Sequence, residues 1–465
     1  MAPGTDGRRA NGPARLAPLA PAAAAAAVYA ALAIRRHDRF GSGGYDLGIF
    51  DQAVWGYSHF ELIPNTVKRV PNLLGDHFHP ILAALAPLYW IWSDPRMLLL
   101  VQAVLLALGS VPVAWWAREQ LGRGAALGFQ LAYLLFWAVL AGDLFDFHEV
   151  AVAVPAISFG LYGALMRRDR LLVATAVAGG LTKEDVPLTF LAIGLYVAVV
   201  QRRRIGIVVA AACAAWTALL VVVVMPALAG GAYGYWRYGE VLRRPWETIS
   251  LLVDPPRKLV TLVELLGSWL FLPLLSPLVL VALPAVAERF WTPYPGVWGT
   301  RYHYSLVLAP VLAFAAVDAA AHLRERVTAR VAAPAVALAA LVVAAAFVHP
   351  LRALDDTVSA TRAAAIGACL ATIPPDASVA ATGTLIPHLS QRRRIYPFAD
   401  RGGQEYLAIG LDDDTRRLAP SSAAAATAQA VDAGYRRTCF RPGAVLVLTR
   451  PGTLAGSPVA SARAP

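Results

Sequence analysis

The residues able to do chemistry in this chain gather in a few short clusters. "GGYDLGIFDQ" (43–52) carries Asp46 and Asp51, and "GDHFHP" (75–80) carries Asp76, His77 and His79. "FDFHE" (145–149) supplies Asp146, His148 and Glu149, and "KED" supplies Lys183, Glu184 and Asp185. "ERF" and "RYHY" add Glu288, Arg289, Arg301, His303 and Tyr304. Carboxylates and imidazoles in this mixture can abstract a proton, shuttle one, or hold a divalent cation. Lysine and arginine beside them can neutralise a phosphate or another anionic oxygen.

Each cluster also has a plainer reading. On a helix, the five-residue spacing of Asp46 and Asp51 leaves them about 140° apart, so they do different jobs. Asp46, after Gly43 and Gly44, can cap a helix N-terminus or serve as a general base or metal ligand at the mouth of a cavity. Asp51 then acts as a ligand or as structural support. In an extended segment His77 and His79 fall on the same side, which makes Asp46, Asp76 and His79 a candidate metal set, although no zinc signature is present. The plainer alternative is a hydrated turn before Pro80. Lys183 is one of only three lysines in an arginine-rich chain, which favours a specific partner, a phosphate or a carboxylate, over a solvated loop. The loop 230–260 interleaves Arg237, Arg243, Arg244, Arg257 and Lys258 with Tyr233, Tyr235, Trp236, Tyr238 and Trp246. It suits a lipid, phosphate or sugar face, or a membrane-surface belt with no ligand.

These clusters must be positioned by apolar elements. The chain is 58% hydrophobic and 15% charged, with a mean hydropathy of +0.54, which places it among polytopic membrane proteins. A formal charge of +11 does not point to nucleic acid, because the arginines form short clusters between apolar runs, as cytoplasmic loops do. Spans are expected near 17–34, 97–117, 124–141, 149–166, 171–182, 186–200, 205–229, 260–275, 277–288, 304–321 and 331–349. The segment 80–92, "PILAALAPLYWIW", is too short to cross and belongs in the outer interface. With the N-terminus inside, Arg118 and Arg123, Arg167 to Arg170, Arg202 to Arg204, and Arg324 to Arg330 fall on the cytoplasmic side. That holds if 260–288 turns as a hairpin at Pro273 to Pro277; one tilted helix would exchange the sides of everything after it. In this topology nearly all the polar clusters face outward.

The expected organisation is a cytoplasmic, disordered N-terminus (1–16), a membrane domain (17–349) whose first outer loop is 35–96, a small extracytoplasmic α/β domain (350–451), and a disordered tail (452–465). Of Cys213, Cys369 and Cys439, the last two can pair if their region lies in an oxidising compartment.

"SGGYDLGIFDQAVW", "LLGDHFHPILAALAPLYWIW", "FDFHEVAVAVP", "KEDVPL", "FLPLLSPL" and "AERF" with "HY" resemble the multi-pass bacterial membrane family DUF2079 over roughly residues 30 to 400. A first helix, an early acid in the outer loop, "HP" opening an amphipathic segment and "ARxxLGR" after the next helix are more distantly similar to GT-C glycosyltransferases of the protein-mannosyltransferase and aminoarabinose-transferase type. The apolar runs make the fold an all-α polytopic one of about 11 transmembrane helices; that resemblance adds a GT-C-like core and implies transfer of a sugar from a polyprenyl-phosphate carrier. It matches Asp46 to the acid at the acceptor or metal site. The pattern departs in having Leu47 after Asp46 instead of a second acid, and Ile81 instead of a second proline.

The expectation is therefore a bacterial membrane glycosyltransferase using a polyprenyl-phosphate-linked sugar on the outer face, with Mg²⁺ or Mn²⁺ as candidate ions and membrane lipid as a partner. Asp46 and Asp51 are the candidate catalytic residues. Asp76, His77, His79, Asp146, His148, Glu149, Lys183, Glu184, Asp185, Glu288, Arg289, Arg301, His303 and Tyr304 are candidate binding residues. The alternatives are a transporter or flippase for a lipid-linked or anionic substrate, and a non-catalytic membrane scaffold.

Overall fold

A computed structural model describes residues 16–231, 233–235, 245–292, 294–326, 349–411 and 420–452. The expected span at 331–349, nearly all of both disordered ends and the arginine-bearing centre of the 230–260 loop lie outside the described residues.

Helices form where the apolar runs fall. Among the described residues four of them can cross a membrane by length and composition: α1 (Leu19–Asp38), the Arg96–Leu121 pair of helices α2 (Arg96–Leu108) and α3 (Ser110–Leu121), the segment Arg204–Ala229, and His303–Leu323. A fifth is reached if Arg123–Leu134 and Trp137–Phe145, bent by 41°, count as one. The expected eleven are not reached by this measure. Val150–Leu165 and Val186–Val199 hold 16 and 14 residues, and at about 1.5 Å per residue they fall short of a hydrocarbon core of about 30 Å. The run 260–288 is not one helix. Arg257–Gly267 ends where Leu270 and Phe271 take positive φ, 3₁₀ turns follow at Leu272–Leu275 and Pro277–Ala282, and Leu283–Phe290 resumes the helix.

Without a hydrophobic effect between helices in lipid, close backbone approach and polar clamps hold a bundle together. Gly194 and Gly206 show the first device: a Cβ on Gly206 would lie 2.4 Å from the Ala198 backbone nitrogen, so Val186–Val199 and the helix from Arg204 meet backbone to backbone. Gln102, the one polar side chain in the apolar stretch of α2, shows the second. Its amide donates to the carbonyls of Gly142 (3.1 Å) and Asp146 (2.8 Å) and accepts from the His148 amide (3.0 Å).

The C-terminal region forms a five-stranded sheet in the order β2-β1-β3-β5-β4. β1 (Val379–Ala381) pairs in parallel with β2 (Ile395–Pro397) and β3 (Tyr406–Gly410), while β5 (Val445–Thr449) runs antiparallel to β3 and to β4 (Arg436–Arg441). The helix Ala360–Leu370 is tied to edge strand β4 by the Cys369–Cys439 disulfide. One face of this unit has a core of its own, with Phe398, Leu407, Ile409 and Leu446, and the other face shares one with the first loop. Leu47, Phe50 and Val54 of the first loop share one apolar cluster with Ile366, Ile386 and Val447.

Candidate functional site

The first candidate acid sits on a short π-helical turn, Gly44–Gly48, that runs directly into the helix Ile49–Ser58. Single π turns recur at functional sites because they re-aim a side chain. Here Asp46 does not cap the helix; its Oδ1 lies 3.2 Å from His148 Nε2. The other ring nitrogen of His148 is 3.4 Å from the Asp146 carbonyl, where it must donate. The two side chains form a carboxylate–imidazole pair.

Asp146 is placed by strain. It follows the helix Trp137–Phe145 with φ 118° and ψ 174°, a conformation that costs a non-glycine residue about 1–3 kcal/mol and persists only where its surroundings enforce it. Arg36, at the end of α1, donates to Oδ1 at 2.8 Å and the Gly43 amide donates to Oδ2 at 2.8 Å. A Cβ on Gly43 would sit 3.1 Å from Asp46 Oδ2 and 3.8 Å from Asp146 Oδ2, so two carboxyl groups converge there. Burial pushes the Asp146 carboxyl up to about 6; Arg36 pulls against it, and the nearby Asp46 adds to the rise.

Asp46, Asp146 and Arg36 face a cavity of about 460 Å³ that is also bounded by Arg301, Tyr302 and Thr384. Arg301 is exposed and paired with Asp356 at 2.9 Å. Behind the cavity the rings of His148 and His303 stack with centroids 3.5 Å apart, and Tyr304 lies 4.2 Å from His303.

A second polar cluster adjoins the first. Lys183 lies 3.7 Å from Glu149 and 3.5 Å from Asp185, with Glu288 also within electrostatic reach. Burial would strip Lys183 of its charge, but these carboxylates hold its pKa well above the ordinary lysine value. Glu184 accepts from His77 Nδ1 (2.7 Å), the Phe78 amide (3.1 Å) and the Tyr233 hydroxyl (2.7 Å). Burial opposes its ionisation, yet His77 and Lys183 keep it below the usual carboxylate range, and His77 is raised in turn. One oxygen each of Glu149 and Asp185, and both ring nitrogens of His79, are buried with no hydrogen-bond partner.

Thus Asp46, Asp146, Arg36 and Arg301 meet at one cavity, with His148, His303 and Tyr304 behind it. Glu149, Lys183, Glu184, Asp185, His77 and Glu288 form the adjoining cluster. Three expected roles are not met by the geometry. Asp51 is fully buried away from the cavity and accepts from Tyr89 (2.6 Å), Ser390 (2.6 Å) and Gln391 (3.1 Å), which makes it structural support. The metal trio Asp46, Asp76 and His79 does not assemble: Asp46 turns to His148, Asp76 is held by Lys68 (3.1 Å) and Tyr235 (2.6 Å), and His79 is sealed beside Phe50. Among the described residues no three His, Cys, Asp or Glu side chains converge as metal ligands. Arg289 is buried, does not line the cavity, and gives four of its five donors to neutral oxygens of Val297, Trp298, Gly299 and Ser305.

Arg36, Gln102, Thr384 and the role of Gly43 as a donor to Asp146 escaped the sequence reading. Arg36 sits among helix-end arginines, Gly43 and Thr384 carry no chemical signature, and a single glutamine in an apolar helix was the one legible signal.

Among solved structures, ArnT from Cupriavidus metallidurans bound to undecaprenyl phosphate shares the fold, with a TM-score of 0.57 at 14% identity over 95% of this chain and 99% of that one. Its apo state gives 0.53 at 14% identity over 94% and 99%. No curated protein matches the sequence. A family model described as "Predicted membrane protein (DUF2079)" matches residues 36–414, most of the chain and all of the candidate site, and on that ground the protein belongs to the DUF2079 family of membrane proteins.

Proposed function

We propose that the protein is a membrane glycosyltransferase that moves a sugar from a polyprenyl-phosphate carrier to an acceptor hydroxyl on the outer face of the membrane. The observation that carries the reading is Asp46 on the wall of a cavity, paired with His148 behind it, in a fold shared with a protein crystallised with undecaprenyl phosphate.

In the proposed step Asp46 takes the proton of the acceptor hydroxyl as its oxygen bonds to the anomeric carbon. The bond from that carbon to the carrier phosphate breaks, and the electron pair leaves with the phosphate. Arg301, exposed on the same cavity wall, exchanges Asp356 for the departing phosphate at little cost, since exposed ion pairs are weak. Lys183 adds positive charge from behind, and His148 holds the Asp46 carboxyl in place. The outward orientation is supported by the cytoplasmic arginine pattern and by the Cys369–Cys439 disulfide, which belongs in an oxidising compartment.

Purified protein in lipid, wild type against Asp46→Asn, is assayed for release of polyprenyl phosphate from a panel of polyprenyl-phosphate sugars, with and without Mg²⁺ or Mn²⁺. The expected result is turnover by the wild type and a loss of at least 100-fold in the variant, within the range general-base catalysis contributes, with carrier binding retained. Equal turnover by the two proteins overturns the assignment of Asp46.

One observation favours a transporter. Asp143, in the helix Trp137–Phe145, is buried with both oxygens lacking a hydrogen-bond partner, and ionisable groups at membrane depth mark transport pathways elsewhere. Uptake of a lipid-linked or anionic solute by proteoliposomes, lost in Asp143→Asn, would put that reading first.

A further inference from the structure

We propose that Ile386, in the C-terminal α/β unit, is a positioning residue for Asp46, so that the reactive site is complete only when that unit is docked on the first loop. The kinetic consequence rests on the reading of Asp46 as base; the positioning itself does not.

The π turn that carries Asp46 is loosely tied to the residue before it. Its amide contacts back to Gly43, from Asp46 and Gly48, are long at 3.4 and 3.3 Å. Bonds of that length do little to fix where the turn starts, so what packs on it helps set its shape. What packs on it is Ile386, only 1% exposed. A Cβ on Gly44 would stand 2.7 Å from Ile386 Cδ1, and one on Gly48 would stand 2.9 Å from Ile386 Cγ2. The two glycines bracket Asp46, and the isoleucine fills the seat that their missing side chains leave.

The loop bearing Ile386 is anchored on both sides of this contact. Upstream, Gly383 and Thr384 line the cavity that Asp46 faces. Downstream, the His388 ring stacks on His37 at 4.1 Å and on Phe40 at 4.0 Å, at the end of α1. Ser390 and Gln391 then hold Asp51, one helical turn beyond the π turn. The C-terminal loop therefore grips the segment 37–51 at its start, middle and end, and Ile386 is the contact at the residue that matters. Losing its branched side chain opens a void beneath Gly48 and lets the turn relax toward ordinary helix, which rotates Asp46 away from His148.

The test uses the full chain in lipid nanodiscs and reads hydrogen–deuterium exchange in a peptide spanning Gly44 to Phe50. Ile386→Ala is expected to exchange there at least about tenfold faster than wild type, with the transmembrane helices unchanged. Adding Gly48→Ala to it returns a methyl to the space vacated by Cγ2 and is expected to restore slow exchange, whereas Gly48→Ala alone does not reproduce wild type. In the turnover assay Ile386→Ala lowers kcat and leaves KM for the carrier sugar unchanged. Wild-type exchange in Ile386→Ala, or faster exchange spread evenly over the C-terminal unit, overturns the proposal. If Ile386→Ala does not fold, Ile386→Val, which lacks only the Cδ1 contact to Gly44, is measured instead; unaltered exchange in that variant also overturns it. If the exchange results are as expected but wild type never turns over, the transferase reading fails and the positioning role stands.

Discussion

At the scale of single residues, the two acids of "YDLGIFDQ" separate by environment. Asp46 stands at a cavity, and Asp51 is locked between Tyr89, Ser390 and Gln391. Burial lifts Asp51 from its ordinary range up to about 6, against the pull of its hydrogen bonds from Ser390, Tyr89 and Gln391. Because the folded value lies above the unfolded one, the stability it contributes is complete below the unfolded pKa and is lost as pH rises through the folded value. Between about pH 4 and about pH 6 the wild type should therefore lose up to about 3 kcal/mol relative to a group that does not titrate. Asp51→Asn removes the charge and keeps the shape, and Ser390 can still donate to the Pro387 carbonyl. Thermal unfolding of the two proteins across pH 4 to 8 checks this: the variant should gain on wild type up to about pH 6 and then hold its lead. Parallel curves would show that Asp51 does not titrate in this window. The five-residue spacing pointed to different surroundings for the two acids, but not to which acid would meet His148, a partner from a distant part of the chain.

At the scale of elements, the structure reassigns Arg289 from phosphate ligand to strut. It ends the short helix Leu283–Phe290 and binds the carbonyls of Val297, Trp298 and Gly299 together with the Ser305 hydroxyl. Those acceptors hold the segment that delivers Arg301, His303 and Tyr304. Arg289→Ala leaves buried carbonyls unsatisfied, and each costs about 1–3 kcal/mol, so the variant should melt well below wild type. Carrier affinity per folded molecule should be unchanged, which a binding titration on the folded fraction tests. A large loss of affinity with an unchanged melt would return Arg289 to the phosphate. Its partners lie within sixteen residues of it, yet the fork they make was invisible because backbone carbonyls leave no trace in a sequence. Helix positions, by contrast, follow the apolar runs closely, since burial of those runs is decided locally. Lengths do not, because breaks such as Leu270–Phe271 depend on packing.

At the scale of the whole molecule, the bundle and the C-terminal sheet are joined through the first loop, with Leu47, Phe50 and Ile386 in one apolar cluster. The disulfide Cys369–Cys439 closes a separation of 70 residues and staples edge strand β4 to a helix. Replacing both cysteines by serine should cost about 2–4 kcal/mol, read as a lower melting temperature of the C-terminal unit. Trapping free thiols by alkylation at cell lysis should leave Cys369 and Cys439 unmodified, in keeping with an outward-facing C-terminal unit. Complete modification of both would place that unit inside and reverse the proposed orientation. A shared core also implies that the C-terminal unit is not an appendage that can be deleted without disturbing the site.

Composition and hydropathy were enough to identify a membrane protein, and the sequence was enough to mark its polar clusters, because partitioning into lipid and exclusion of charge act on local stretches of chain. The pairing of Asp46 with His148, the retirement of Asp51, His79 and Arg289 from the reacting surface, and the seat of Ile386 between two glycines were settled by folding alone. These depend on distances of a few ångströms between segments that are remote in the chain, and no local pattern encodes such distances.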